Sequence, residues 1–194
     1  MGMPALQKRV WTYEEVHQLI EDQQDRTVRY EFADGELLVT PGPGGYHQRI
    51  ILALYDLVMP YVRSHQIGEV RLGPSEINII PRTIFQPDLY VVPSVNGRRP
   101  RADVPVTESV LVVEVLSPGS LKHDRVTKRR YYQRGGVPEY WIVDQDSVIV
   151  ERWRPSDVRP EILDASLEWR PDVRGEPLTI DLAALFAGVL DEPG

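Results

Sequence analysis

Residues 110–117 read VLVVEVLS, a run that is apolar on both of the faces a β-strand presents. Alternation sends Leu111, Val113 and Val115 to one side and Val112, Glu114 and Leu116 to the other. A strand without a polar face belongs in the middle of a sheet covered on both sides, which points to a mixed α/β architecture. Glu114 is the exception within the run. A carboxylate there is desolvated, which is costly unless it is paired with a cationic side chain or binds a cation. On this strand alone, both readings stand.

The remaining segments are consistent with helices and strands around such a sheet. Thr12-Tyr13-Glu14-Glu15 has the form of a capping box and predicts a helix start. VRYEF and ELLVT flank Ala33-Asp34-Gly35 as the arms of a hairpin. After the breaker PGPGG (41–45), apolar residues at helical spacing predict a helix from 47 to 62, which Pro60 should kink or end. Strands are expected at 69–72, at 75–80 and in QPDLYVV, where Pro87 suits only a strand start. Residues 93–109 form a long Pro/Arg-rich connection. A helix is expected over 124–134, closed by Gly135-Gly136. EYWIVD and SVIVERW read as a second hairpin through Asp144-Gln145-Asp146, with Asp144 serving the turn. A Pro-, Asp- and Arg-rich linker then leads to a short helix, DLAALF (181–186). The expected division is an N-terminal helix and hairpin (11–45), a core (46–153) and a C-terminal linker and helix (154–194), all in one domain.

Charge is informative through its distribution. The chain of 194 residues carries a net charge of −7, which by itself argues against a nucleic-acid partner. Between Arg98 and Arg134, however, nine Lys/Arg outnumber four acids, so this stretch carries +5 and the rest −12. A solvated basic face is the plain reading of such a cluster. With no cysteine, disulfides, thiolate zinc sites and cysteine nucleophiles are excluded. No apolar run reaches the length of a membrane span and the start MGMPALQKRVW lacks an apolar signal region, so a cytoplasmic protein is expected.

Asp88 opens the apolar strand LYVV directly after Pro87. Two carboxylates set into neighbouring apolar strands repel unless something positive lies between them. Hard oxygen ligands suit Mg²⁺, or Mn²⁺ in its place, rather than zinc. Such an ion can polarise a phosphodiester and lower the pKa of an attacking water.

The ordered set YEFADGEL, the His47-Gln48 helix start, PDLYVV, VVEVLSP, D-x-x-x-K-x-x-Y from Asp124 to Tyr131, GVPEYWIVD and DLAALF resembles the Uma-two family over residues 11–187. These are restriction-endonuclease-like proteins of the PD-(D/E)XK superfamily. The resemblance implies a restriction-endonuclease-like core, a central mixed β-sheet flanked by helices, with the N-terminal helix and hairpin as an extension. It implies that Asp88 is the aspartate of the motif and Glu114 its acid, holding the metal together with the backbone carbonyl of Val115. The motif lysine does not match, because Leu116 stands two places after Glu114. Lys128 is the substitute: helical steps place Asp124, Lys128, Tyr131 and Gly135 on one face, although an i,i+4 pair between Asp124 and Lys128 explains the same spacing. Losing Lys128 is expected to affect chemistry more than folding.

Glu31 and Glu36 match the family's acidic hairpin as accessory groups, with surface charge as the bland alternative. His47 at its helix start could touch phosphate or water, and Asp124 is a further accessory candidate. Ser117-Pro118-Gly119-Ser120 reads as a cap for the following helix. Arg98, Arg99, Arg101, Arg125, Arg129 and Arg130 are the candidate phosphate contacts. The expected activity is Mg²⁺-dependent hydrolysis of DNA, duplex by preference, with a homodimer suited to paired cuts. A fold-retaining protein that binds nucleic acid or a partner without cutting is the alternative that Leu116 supports. A two-carboxylate glycosidase is disfavoured by an aromatic content of 8%.

Overall fold

Thr12 starts the first helix, α1 (Tyr13–Glu21), by the expected reciprocal capping. The Glu15 N–H donates to Thr12 Oγ1 at 3.2 Å, and the Thr12 N–H donates to Glu15 Oε2 at 2.9 Å. The computed structural model describes residues 9–23, 28–42, 44–73, 82–98, 100, 108–171 and 175–190. β1 (Val28–Ala33) and β2 (Glu36–Pro41) form an antiparallel hairpin with Ala33 opposite Glu36. Asp34 and Gly35 both have positive φ, 53° and 78°, the turn geometry that follows strand twist.

α2 (Gly45–Ser64) is longer than its sequence pattern suggests and runs through Pro60 without ending there. Val58 and Val62 flank the proline and are fully buried, so their packing outweighs the backbone bond that Pro60 cannot make. Next come β3 (Gly68–Leu72), β4 (Leu89–Pro93) and β5 (Leu111–Val115). A π-helical turn (His123–Lys128) and α3 (Arg129–Arg134) follow, ending at Gly136 with φ of 76°. β6 (Tyr140–Asp144), β7 (Ile149–Trp153) and β8 (Glu161–Leu163) complete one six-stranded sheet in the order β3-β4-β5-β6-β7-β8. All neighbours are antiparallel except β5 and β6. That one parallel pair requires a crossover, and the π-turn with α3 supplies it.

The segment after β7 departs from the expected linker. It contains β8 and a separate two-stranded sheet of β9 (Ser166–Trp169) and β10 (Leu178–Asp181). Only Leu167 and Trp169 alternate inward in β9, too short a pattern to stand out among so many polar residues. α4 (Leu182–Leu190) extends beyond DLAALF and is capped by Asp181, whose Oδ1 accepts from the Ala184 N–H at 2.9 Å. The strand expected at 75–80 lies outside the described residues, as do Arg99 and residues 101–107 of the 93–109 connection, Arg101 among them. Among the described residues, no helix is long and apolar enough to cross a membrane.

The central strand is buried on both faces. Leu111, Val113 and Val115 share one core with Ile50, Leu54 and Val58 of α2 and with Leu185 and Phe186 of α4. Val112 and Leu116 share the other core with Tyr131 and Tyr132 of α3. Alternation therefore puts Glu114 on the α3 side, under the crossover.

Candidate active site

Leu89 pairs with Val113 across β4 and β5, so the same antiparallel register, continued by one residue, sets Asp88 opposite Glu114. Both carboxylates are 2% exposed. Two more elements close over them. The β1–β2 hairpin reaches the sheet through a backbone bridge between Phe32 and Ile84, which brings Arg29 and Glu31 inward on one face of β1. The π-turn places Asp124 and Lys128, both buried, above the same spot. In that turn the Arg129 N–H reaches the Asp124 carbonyl, five residues back.

Asp88 is fully engaged. Its Oδ1 lies 2.6 Å from Arg29 Nη1. Its Oδ2 accepts from the Val115 N–H at 2.8 Å and lies 3.1 Å from His47 Nε2. Lys128 Nζ sits among three other acids, 2.9 Å from Glu31, 3.0 Å from Glu114 and 3.0 Å from Asp124. The Tyr132 hydroxyl also donates to Glu114 Oε1 at 3.0 Å, and the Gln86 N–H donates to Glu31 Oε1 at 2.8 Å. The four acids, Arg29, His47, Val115 and Lys128 line a cavity of about 300 Å³, together with Thr40, Gly42, Gly44 and the Ser117–Ser120 turn.

The electrostatics are lopsided. Four buried carboxylates (Glu31, Asp88, Glu114 and Asp124) face two fixed cations, Arg29 and Lys128. The cluster is therefore two positive charges short when its acids are ionised and its histidines neutral. Burial pushes Glu114 well above the ordinary glutamate range, against the pull of Lys128, and Asp124, Asp88 and Glu31 add to the rise. Glu31 is also raised, again first by burial. Burial works against ionised Asp88 as well, but His47, Arg29 and the Val115 N–H outweigh it and hold the group low. Lys128 stays charged: burial opposes the charge, and its three carboxylate neighbours lift its pKa well above normal. His123, beside Glu31 and near Lys128, is pushed down to about 3 by burial and by that ammonium.

Several sequence-based candidates converge in this cavity: Asp88, Glu114, Val115, Lys128, Glu31, His47 and Asp124. Glu31 is no surface charge, whereas Glu36 is exposed. The Asp124–Lys128 pair exists, yet it is buried rather than superficial. Leu116, where a lysine would complete the motif, is 3% exposed within the α3-side core. Two of the arginines are committed elsewhere. Arg125 donates to Asp144 at 2.7 Å and Glu151 at 2.6 Å. Arg129 lies over the Trp153 ring and bonds Gln133 and the Arg125 carbonyl. Arg98 and Arg130 are exposed. Asp144 serves its turn, accepting from the Asp146 and Ser147 N–H groups, in addition to Arg125. Ser117 and Ser120 bond each other within their turn.

Arg29 and Tyr132 are site residues that the sequence reading missed. Arg29 had a signal, since it stands two places before Glu31 and shares its face in β1. Tyr132 had none beyond its position next to Tyr131.

The donor set suits a hard cation better than a thiophilic one, and the two-charge deficit matches a divalent ion. Among the described residues, however, no three His, Asp or Glu side chains stand ready around one point as a metal cage. Lys128 and Arg29 take up much of the carboxylate oxygen instead. A cation held here would have to draw on oxygens besides the carboxylates.

Comparison with known proteins agrees with this architecture. The fold matches a solved structure from Anabaena variabilis, described as "a putative nuclease belonging to DUF820", with a TM-score of 0.70 and 20% identity, covering 92% of this chain and 98% of that one. Two Synechocystis proteins are similar in sequence. Uncharacterized protein sll1609 is 24% identical over 140 residues, 70% of this chain and 77% of its own length. Uncharacterized protein slr1290 is 28% identical over 134 residues, 66% of this chain and 67% of its own. The profile of the Uma2 family, described as "Putative restriction endonuclease", matches residues 13–182, and the chain belongs to that family.

Proposed function

We propose that this protein is a Mg²⁺-dependent endonuclease that hydrolyses DNA phosphodiester bonds at the Asp88–Glu114 cavity. The observation that carries the reading is the meeting of Asp88 and Glu114, with Glu31 and Asp124, in one buried pocket that holds only two fixed cations, Arg29 and Lys128, so that a divalent ion would balance the carboxylates in their ionised form. Asp88, Glu114 and the Val115 carbonyl would hold the ion, with Mn²⁺ as a substitute. When bound, it supplies Lewis-acid polarisation of the phosphoryl group and a more acidic water. Lys128 takes the place of the motif lysine: its ammonium stands beside Glu114 and is kept charged by its neighbours, ready to stabilise negative charge that develops on phosphoryl oxygens. Arg29 and His47 fix the Asp88 carboxylate and prevent it from turning. Glu31 and Asp124 fix the lysine in the same way.

Backbone phosphates of duplex DNA would meet the exposed cations Arg98 and Arg130. Arg125 and Arg129 are left out of this role because their guanidinium groups bind side chains of the protein itself. A second reading, binding without cutting, is favoured by one observation: Lys128 is locked by three carboxylates rather than pointing freely into the cavity.

The deciding experiment incubates supercoiled plasmid with the purified protein in Mg²⁺, Mn²⁺ or EDTA, beside Asp88→Asn and Glu114→Gln. Nicking that depends on metal and is lost in both variants is expected. Metal-enhanced DNA binding without nicking in any condition would establish the second reading instead.

A further inference from the structure

We propose that a second cavity, between the start of α1, the β1–β2 turn and the end of α3, binds a nucleoside monophosphate unit. Its base would lie against aromatic rings and its phosphate on Arg82 and Arg134. The proposal goes beyond the nuclease reading and does not depend on it, since neither a metal nor cleavage enters it.

This cavity measures about 390 Å³, within the range of small-molecule sites, and shares no lining residue with the carboxylate cavity. Trp11, Tyr13, Phe32 and Tyr131 supply its aromatic walls, and Arg82 and Arg134 stand among them. Phe32 is buried in a small core with Val16 and Ile84, against which Trp11 and Tyr13 pack. That packing accounts for only part of the two rings, which stay half-buried. At the same wall the Arg9 guanidinium lies 3.6 Å from the Trp11 ring centroid, a planar cation already stacked there.

The charges favour an anion. Asp34, the one acid among the lining residues, already accepts from the Tyr131 hydroxyl. Burial and that carboxylate push Tyr131 up to about 12, so its hydroxyl stays neutral. Arg82 meets Glu14 at 3.4 Å, but the two side chains are 67% and 69% exposed, and so loose a pair yields readily to phosphate. Arg134 is exposed and, among the described residues, contacts the Tyr131 ring and no carboxylate. The backbone at Arg82 has a φ of 68°, a left-handed conformation that non-glycine residues seldom adopt and that clusters at ligand sites. Guanidinium groups bind phosphate through paired N–H donors, and aromatic rings stack on any base, so the two together select a nucleotide over a bare anion.

The two cavities have walls in common. Along β1, Glu31 lines the first and Phe32 the second; in α3, Tyr132 bonds Glu114 and Tyr131 lines the second. The nucleotide is therefore either free or one unpaired unit of a strand held at the neighbouring cavity.

The test titrates adenosine 5′-monophosphate, and separately a short single-stranded oligodeoxyadenylate, into the full chain in EDTA. Tryptophan fluorescence and calorimetry give the readout. Trp141, Trp153 and Trp169 are buried, so quenching reports on Trp11. Adenosine and inorganic phosphate, each alone, are the controls. The variant Arg82→Gln/Arg134→Gln removes both cations and should melt like the parent, because both side chains are exposed.

The expected result is saturable quenching that neither control reproduces, weakened about tenfold or more in the variant by the loss of charge-assisted hydrogen bonds. Equal binding of mononucleotide and oligonucleotide identifies a free nucleotide as the ligand; binding of the oligonucleotide alone identifies a strand. No saturable binding of either, or unchanged binding in the variant, overturns the proposal. A phosphotyrosine peptide that binds more tightly than both would give the cavity to a protein partner and overturn it too. Because EDTA removes the cation, none of these outcomes bears on the Asp88–Glu114 reading, which the plasmid assay decides separately.

Discussion

Asp88 and Glu114 stand opposite each other across β4 and β5, yet they are held in opposite protonation tendencies. Asp88 is kept low by His47, Arg29 and the Val115 N–H, while burial drives Glu114 well above the usual glutamate range. A folded-state pKa above the unfolded value of 4.5 means that the folded protein retains a proton the unfolded chain releases. Stability therefore falls as pH rises from that value until folded Glu114 itself ionises. Glu114→Gln should flatten this slope and raise the melting temperature of the metal-free protein at neutral pH, while abolishing stabilisation by Mg²⁺. Asp88→Asn should go the other way, losing about 3–5 kcal/mol because Arg29 is left buried without its partner. Chemical denaturation across pH checks both; a destabilised Glu114→Gln at neutral pH would sink the account.

Lys128 is 3% exposed and touches three carboxylates, which shifts the expected effect of its loss from chemistry toward folding. Lys128→Met should cost about 3–5 kcal/mol, the range for breaking a buried ion pair from one side. The loss should shrink as pH falls, because Glu31 and Glu114, both raised by burial, take up protons before ordinary glutamates do. A loss below about 1 kcal/mol at every pH, as for an exposed pair, would contradict the buried arrangement.

His123 gives a pH dependence of the opposite sign. Its pKa is pushed from 6.5 down to about 3, so the unfolded chain binds a proton that the folded state refuses. Stability contributed by the neutral ring is complete above pH 6.5 and is lost as pH falls toward 3. The difference curve between the parent protein and His123→Phe should rise with pH over that window. A flat difference would show that the ring is hydrated in solution.

The arginines separate into two groups that DNA binding can tell apart. Arg125→Ala should cost about 1–3 kcal/mol by freeing Asp144 and Glu151, with little change in the salt slope of DNA binding. Arg130→Ala or Arg98→Ala should leave stability within about 0.5 kcal/mol. Each should lower the salt slope by about one counterion. An equal salt slope in all three variants and the parent would remove these cations from the interface.

The central strand was legible because β5 is buried on both faces, so its composition alone announced its place. The capping box, both hairpins and the crossover helix were legible for similarly local reasons. Pro60 misled because the packing of Val58 and Val62 is a tertiary effect. The β8–β10 strands were hidden because they are three or four residues long and only half buried. In the cavity, Asp88 and Glu114 stood out as charges beside apolar strand residues, whereas Glu31, Asp124 and Lys128, set among polar neighbours or in a hairpin, were singled out only through the family resemblance. Arg29 did not, since an arginine in a hairpin looks like ordinary surface until the Phe32–Ile84 bridge folds it inward. The engagement of Arg125 and Arg129 was equally invisible, because Asp144, Glu151 and Trp153 reach them only through the β6–β7 hairpin.

The π-turn at His123–Lys128 makes the length of this segment matter more than its composition. A π-turn holds one residue beyond what the regular helix needs, so the chain there can shorten by one without being cut. Deleting Thr127 would let the ladder close four residues back instead of five, giving a sound α-helix. Because the π-turn already takes up that residue within one widened turn, the segments on either side would keep their relative facing. Tyr131 and Tyr132 would keep their places under the sheet, while Asp124 and Lys128 would stand three residues apart instead of four. The extra residue thus widens the turn over the carboxylate cluster without changing the register of the helix that follows it.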